Sequence, residues 1–214
     1  TGLKYAEVRM SQKIINYQMI IDGKYTNSIT EKTIEIECPA NRRIFATVPR
    51  GNEADVDIAV KSSLKAFRSW SKVMPKERGK ILLQIADAIE IEKEDIAKII
   101  ATETGNAIKT QARPEINLVV DIFRYFGGLS SEFKGETIPL GEHVLSYTRR
   151  EPLGVVGAII PWNAPVMLGA CKIAPALCAG NTIVMKAAED APLAILKVAE
   201  ICQKFIPPGV LNLL

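Results

Sequence analysis

The stretch Glu151-Pro-Leu-Gly-Val-Val-Gly-Ala-Ile-Ile-Pro-Trp-Asn-Ala-Pro165 decides the fold. Its apolar run, residues 155–160, is strand-sized and breaks abruptly at Pro161-Trp162-Asn163, after which an apolar helical pattern begins. The alternation then repeats, with strands at 182–186 and 210–214 and helices at about 166–179 and 192–205. Near-continuous apolar strands alternating with helices predict a parallel sheet covered on both faces, with right-handed connections. The fold class is α/β, and residues 151–214 form half of a doubly wound sheet. An Asn at the end of a buried strand needs a partner for its amide, because an unpaired buried polar group costs roughly 1–3 kcal/mol.

Upstream the pattern changes. Residues 18–24 alternate apolar positions and reach Asp22-Gly23, a hairpin signal. Residues 33–38 and 43–48 read as strands around a Pro39-Ala-Asn41 turn, so the opening fifty residues are expected to be short antiparallel strands. Asn52 can cap a helix that carries Ala54, Ile58, Leu64 and Ala66 inward and ends near Trp70. Pro75 suits the first turn of a helix to about Glu90, and a third helix runs from about Lys93 to Gly105, a C-terminal cap. A fourth spans about Lys109 to Phe126, with Pro114 marking its true start or a kink. Residues 134–150 read as two polar extended arms around Gly141, too small to be stable alone and so packed on something else. The expected division is 1–133 for strands and helices, 134–150 for the ribbon and 151–214 for the sheet.

Composition removes several function classes. A net charge of +3 is too small to argue for nucleic acid, and no basic run carries interleaved aromatics. No apolar stretch approaches the ~18–20 residues of a membrane span. The N-terminus has no apolar signal core, so a cytoplasmic location is expected. Met10-Ser-Gln-Lys reads as a natural start, with residues 1–9 as an appended remnant. Cys38, Cys171, Cys178 and Cys202 show neither metal-type pairing nor disulfide density, and Cys171 and Cys178 are expected to be small core residues.

Ligands of open parallel sheets bind beyond the carboxyl ends of the strands. There this sequence places Pro161-Trp162-Asn163 and Lys186-Ala-Ala-Glu189. Lys186 can pair with phosphate or hydroxyls, and Glu189 can accept from vicinal ribose hydroxyls; equally, the two can form a solvated pair at a helix start. Asn163 can be an oxyanion donor or a turn residue between prolines. Trp162 reads as a packing residue before a stacking platform. Lys172, on an apolar helix, must snorkel or find a carboxylate. The single histidine, His143, falls in the polar ribbon. No Gly-x-Gly-x-x-Gly or P-loop motif occurs, so an ordinary phosphate loop is not supported.

These residues carry a resemblance. The segment 151–163, Lys172-Ile-Ala-Pro-Ala-Leu177, Ala179-Gly-Asn-Thr-Ile-Val-Met-Lys186, Glu189 and Pro207-Pro-Gly-Val-Leu-Asn-Leu213 resemble the aldehyde dehydrogenase superfamily. The likeness extends through Asp22-Gly23, Phe67–Trp70 and Glu103-Thr-Gly105. It implies a Rossmann-like sheet and NAD(P)-dependent oxidation of a small-molecule aldehyde to a carboxylate through a cysteine thiohemiacetal. By position, Asn163 would donate its amide to the substrate oxyanion, and Ile159, Ile160, Pro161 and Trp162 would line the cofactor near its nicotinamide half. Lys186 and Glu189 would hold the adenosine ribose, with the carboxylate favouring NAD over NADP. Lys172 matches a lysine some members assign to a charge relay. Residues 134–150 would be an oligomerisation ribbon, giving a homodimer or homotetramer. Ala164 stands where many members carry an aromatic residue, and Ala187-Ala188 replaces a Pro-containing version. The resemblance places the glycine-containing cofactor loop, the general-base Glu and the nucleophilic Cys beyond Leu214. The chain alone is therefore expected to be inactive, and the alternative reading is a non-catalytic nucleotide-binding or structural fragment.

Overall fold

The computed structural model describes residues 14–214, so the proposed start at Met10 and the remnant 1–9 lie outside the described residues. In chain order the elements are β1 (Ile15–Asn16), β2 (Met19–Ile21), β3 (Lys24–Thr26), β4 (Thr33–Cys38), β5 (Arg43–Pro49), α1 (Glu53–Trp70) and α2 (Pro75–Thr104). A π-helical turn (Ile108–Ala112) leads into α3 (Arg113–Leu129). Then follow β6 (Thr137–Pro139), β7 (Leu145–Tyr147), β8 (Val155–Ile159), α4 (Pro165–Cys178), β9 (Thr182–Lys186), α5 (Leu193–Gln203) and β10 (Leu211–Leu213).

The central sheet has the order β3-β2-β10-β9-β8. Strands β8, β9 and β10 are parallel, as the apolar runs and intervening helices require, and β2 joins β10 antiparallel. Side chains of a strand alternate between faces. On β9, Ile183 and Met185 belong to the large core with α2 to α5, whereas Val184 packs with Ala59 of α1. The sheet thus has α1 on one face and the other helices on the opposite one.

Several expectations are corrected. Of the first strands, β2–β3 and β4–β5 pair antiparallel as expected, and β1 is the exception. β1 pairs parallel with β5, and the β2–β3 hairpin, turned by Asp22 (φ 54°) and Gly23 (φ 71°), extends the central sheet. The helices 75–90 and 93–105 are one continuous helix of 30 residues. No Gly or Pro falls between residues 80 and 104, and the Glu- and Lys-rich middle is only the solvent face between buried Ile89 and Ile96. Gly105 does cap it in the left-handed conformation (φ 76°). On α1, Ala54, Ile58 and Leu64 face outward, and the buried positions are Asp55, Ala59, Ser63, Ala66 and Trp70. Close approach of α1 to the sheet selects small residues, and its buried polar groups have partners. Asp55 closes the capping box with Asn52 and also accepts from Ser28 and Ile29.

Pro114 falls in the first turn of α3, the position its missing N–H suits. Gly127 does not end that helix. It lies at the α2–α3 crossing, where a Cβ on Gly79 would stand 2.5 Å from the Gly127 carbonyl oxygen. Cys171 is exposed, contrary to the expected core position, while Cys178 is buried. Coverage of both faces fails at β8, whose Gly157 and Ile159 are open on the α1 side, Ile159 being 76% exposed.

Asn212 ties the layers together. From inside β10 its Nδ2 donates to the Ala59 and Gly209 carbonyls and to Ser63 Oγ, and its Oδ1 accepts from Asp22 N at 2.8 Å.

Candidate functional site

The carboxyl edge of the parallel strands carries the site. β8 and β9 are in register with Ile159 opposite Lys186, and Ile160 N donates to the Lys186 carbonyl at 3.2 Å. That register brings Pro161-Trp162-Asn163 beside Lys186-Ala-Ala-Glu189. Of the predicted residues only Ile160 is buried. Pro161, Trp162 and Asn163 are exposed, Trp162 at 60%. The premise of a buried, expensive Asn163 is therefore corrected. The chain turns out of the sheet at Pro161, and the Asn163 amide reaches the surface above it. Trp162 likewise is not a packing residue among the described residues.

Lys186 Nζ donates to Glu189 Oε1 at 2.5 Å, and that bond, with the lysine's charge, holds the Glu189 carboxyl below its usual range. Both side chains are about half exposed, so the pair can open toward a ligand. They line a cleft of about 530 Å³ whose other walls include Arg50, Asn52 at the start of α1, Pro192 and the end of β10. Lys172 is not part of this cleft. It is half-buried on α4 and lines a shallow groove over Val156, Gly157 and Pro175. Seven residues beyond the start of α4 at Pro165, it is displaced along the helix by roughly 10 Å at 1.5 Å per residue.

The helix starts at this edge are already filled. The backbone N–H groups of Val166 and Met167, in the first turn of α4, donate to Glu115 Oε1 at 3.0 and 3.1 Å. Those of Leu193 and Ala194, at the start of α5, donate to the two carboxylate oxygens of Glu103 at 2.6 and 2.9 Å. Burial pushes both carboxyls up, Glu103 to about 8, against the pull of the N–H donors. A helix N-terminus that opens after the first strand is where an ordinary dinucleotide fold seats pyrophosphate. Here protein carboxylates take both positions, consistent with a sequence that has no Gly-x-Gly-x-x-Gly.

Sequence reasoning missed Glu103, Glu115 and Asn106. The signal was present. Glu115 stands in the apolar stripe of Val119 and Phe123, and Glu103 in that of Ile96 and Ile100, and a charge in a buried stripe requires a partner. Asn106, whose Nδ2 donates to the Asn163 carbonyl at 3.2 Å, left no such trace.

Comparison with known proteins agrees with this geometry. The model of the aldehyde dehydrogenase family matches residues 25–214. Aldehyde dehydrogenase 1 of Tanacetum cinerariifolium is 41% identical over 198 residues, covering 91% of this chain and 40% of that protein. The crystal structure of PnpE in complex with nicotinamide adenine dinucleotide superposes with a TM-score of 0.90 at 37% identity, over 92% of this chain and 41% of that one; PnpE comes from Pseudomonas sp. WBC-3. An NADP dependent enzyme of E. coli gives a TM-score of 0.90 at 28% identity, over 94% and 42% of the two chains. The chain thus spans about 40% of the length of the curated relative. With the family model matching nearly all of its described residues, the chain belongs to the aldehyde dehydrogenase family.

Proposed function

We propose that this chain is the part of an aldehyde dehydrogenase that binds a nicotinamide dinucleotide and stabilises the substrate oxyanion. The observation that carries the reading is the β8–β9 register, which sets the Lys186–Glu189 pair beside Pro161-Trp162-Asn163 at one sheet edge. The donor set fits the cofactor. Glu189 would accept from the adenosine ribose hydroxyls, Lys186 would donate to them, and Ile159, Ile160, Pro161 and Trp162 would flank the nicotinamide half. A carboxylate facing the 2′-hydroxyl repels a 2′-phosphate, so NAD is preferred over NADP. Bound there, the dinucleotide supplies a hydride acceptor.

Asn163 is the proposed oxyanion donor, its exposed amide free to face a substrate carbonyl as negative charge develops; loss of one such donor reduces rate by about 10²–10³. Lys172, on the far side of β8, keeps only the charge-relay role the resemblance suggests. Cys178 and Cys202 are poor nucleophile candidates, because burial pushes them up to about 11 and about 12, and neither Cys38 on β4 nor Cys171 on α4 lines the cleft. The thiol and the general base of a thiohemiacetal mechanism would therefore come from polypeptide outside these 214 residues, and the chain alone would bind without turnover. The β6–β7 ribbon, with Leu145 80% and Tyr147 67% exposed, is the proposed oligomerisation element.

Calorimetric titration of the chain with NAD tests this. Saturable binding is expected, weakened about tenfold in Glu189→Gln by loss of a charged hydrogen-bond acceptor. No binding heat, or aldehyde-dependent NADH formation by the chain alone, would overturn the respective part of the reading.

A further inference from the structure

The chain on either side of Ala164 is held by two side chains of the α2–α3 region, neither of which belongs to the sheet. Asn106, just after the Gly105 cap of α2, donates to the Asn163 backbone carbonyl at 3.2 Å. Glu115, on the first turn of α3 and only 8% exposed, gathers the N–H groups of Val166 and Met167. The residue at the α4 N-cap is Ala164, which has no side-chain acceptor of its own. The first turn of α4 is thus fixed from another helix. The loop before it is clamped on either side of Ala164: at its carbonyl end by Asn106 and at its helical end by Glu115. Prolines at 161 and 165 restrict the backbone between these points further.

This clamp leaves the exposed side chains of Trp162 and Asn163 on the solvent side of a segment whose backbone is fixed. Such fixation matters for a site whose function depends on where an amide points, since a displacement of about 1 Å can cost on the order of 10²-fold in rate. Hydrogen bonds donated by two backbone N–H groups to a buried carboxylate are of the stronger, charge-assisted kind. Their loss would release the first turn of α4 and the loop joined to it, while β9 and the Lys186–Glu189 pair rest on separate contacts.

We propose that Glu115 and Asn106 are positioning residues, which hold the 159–163 segment, and Asn163 with it, in register with the nicotinamide end of the cofactor. The inference rests on the proposed role of that segment, and it predicts a split between the two ends of the ligand. Binding of NAD and of AMP to the 214-residue chain separates them, because AMP engages only the Lys186–Glu189 end. In Glu115→Ala the dissociation constant for NAD should rise about tenfold or more, while that for AMP stays within about twofold. Glu115→Gln keeps a carbonyl acceptor for the same two N–H groups and should restore NAD binding. Asn106→Ala should move NAD in the same direction by a smaller factor, and it keeps the test in hand if Glu115→Ala does not fold. Parallel weakening of NAD and AMP in Glu115→Ala would reduce Glu115 to a general helix cap and overturn the proposal. Unchanged NAD binding in both Glu115→Ala and Asn106→Ala would overturn it as well. A wild-type chain that binds AMP but no tighter NAD removes the nicotinamide-end contact and the proposal with it, whereas a chain that binds neither defeats the functional reading itself.

Discussion

Glu103 and Asn212 show what single buried polar residues contribute to this molecule. The Glu103 carboxyl lies against the start of α5, and burial raises it from 4.5 to about 8 in spite of its two N–H donors. A raised carboxyl contributes stability that is fully present below the unfolded value and is lost as pH rises through the folded one. Urea-unfolding free energy should therefore fall between about pH 5 and pH 8, by a few kcal/mol at most by linkage. Glu103→Gln should flatten that dependence, and an equally steep profile in the variant would assign the slope elsewhere. Asn212 has four partners inside the protein. Asn212→Ala strands several of them without water and should destabilise by about 3 kcal/mol, read from the denaturation midpoint at unchanged slope. The apolar stripe around Glu103 marks it as needing a partner without naming one, and nothing in the local pattern marks Asn212. Motif and strand end gave Asn163, Lys186 and Glu189 their place, but the partner of a buried polar group is a distant residue, 90 positions away for Glu103 and Leu193.

At the level of elements, periodicity was most readable in the regular apolar strands and at the helix-ending glycine. The β4 and β9 strands and the Gly105 cap coincide with the residues expected. Misreadings arose where packing selects size. α1 buries Ala59, Ser63 and Ala66 because its axis lies close to the sheet, so the larger Ile58 and Leu64 are left on the outside. The α2–α3 crossing follows the same logic, with Gly79 set against Gly127. Gly79→Ala places a methyl group against Ser130 and the Gly127 carbonyl and must push the two helices apart. The expected loss is about 1–3 kcal/mol despite alanine's better helix propensity, and thermal unfolding would record it. A neutral or stabilising outcome would mean that the helices separate freely there.

For the molecule as a whole, strand-helix alternation in the last sixty residues was enough to establish a parallel sheet. What it did not convey is that the sheet draws its outer strands from the opposite end of the chain, since pairing partners leave no mark on local pattern. The Asp22–Asn212 hydrogen bond spans 190 residues, and the Ser63–Gly209 bond spans 146. That feature has a kinetic meaning. The β2–β3 hairpin is synthesised well before its partner strand β10. Until β10 is made, the hairpin edge and the apolar side chains of Met19, Ile20 and Ile21, buried in the fold, lack their partner. Closing so long a loop comes late and slowly, so the buried Trp70, which rests in the core the sheet completes, should regain its native fluorescence over milliseconds to seconds, not microseconds. Until then the edge of the β2–β3 hairpin is exposed to mispairing.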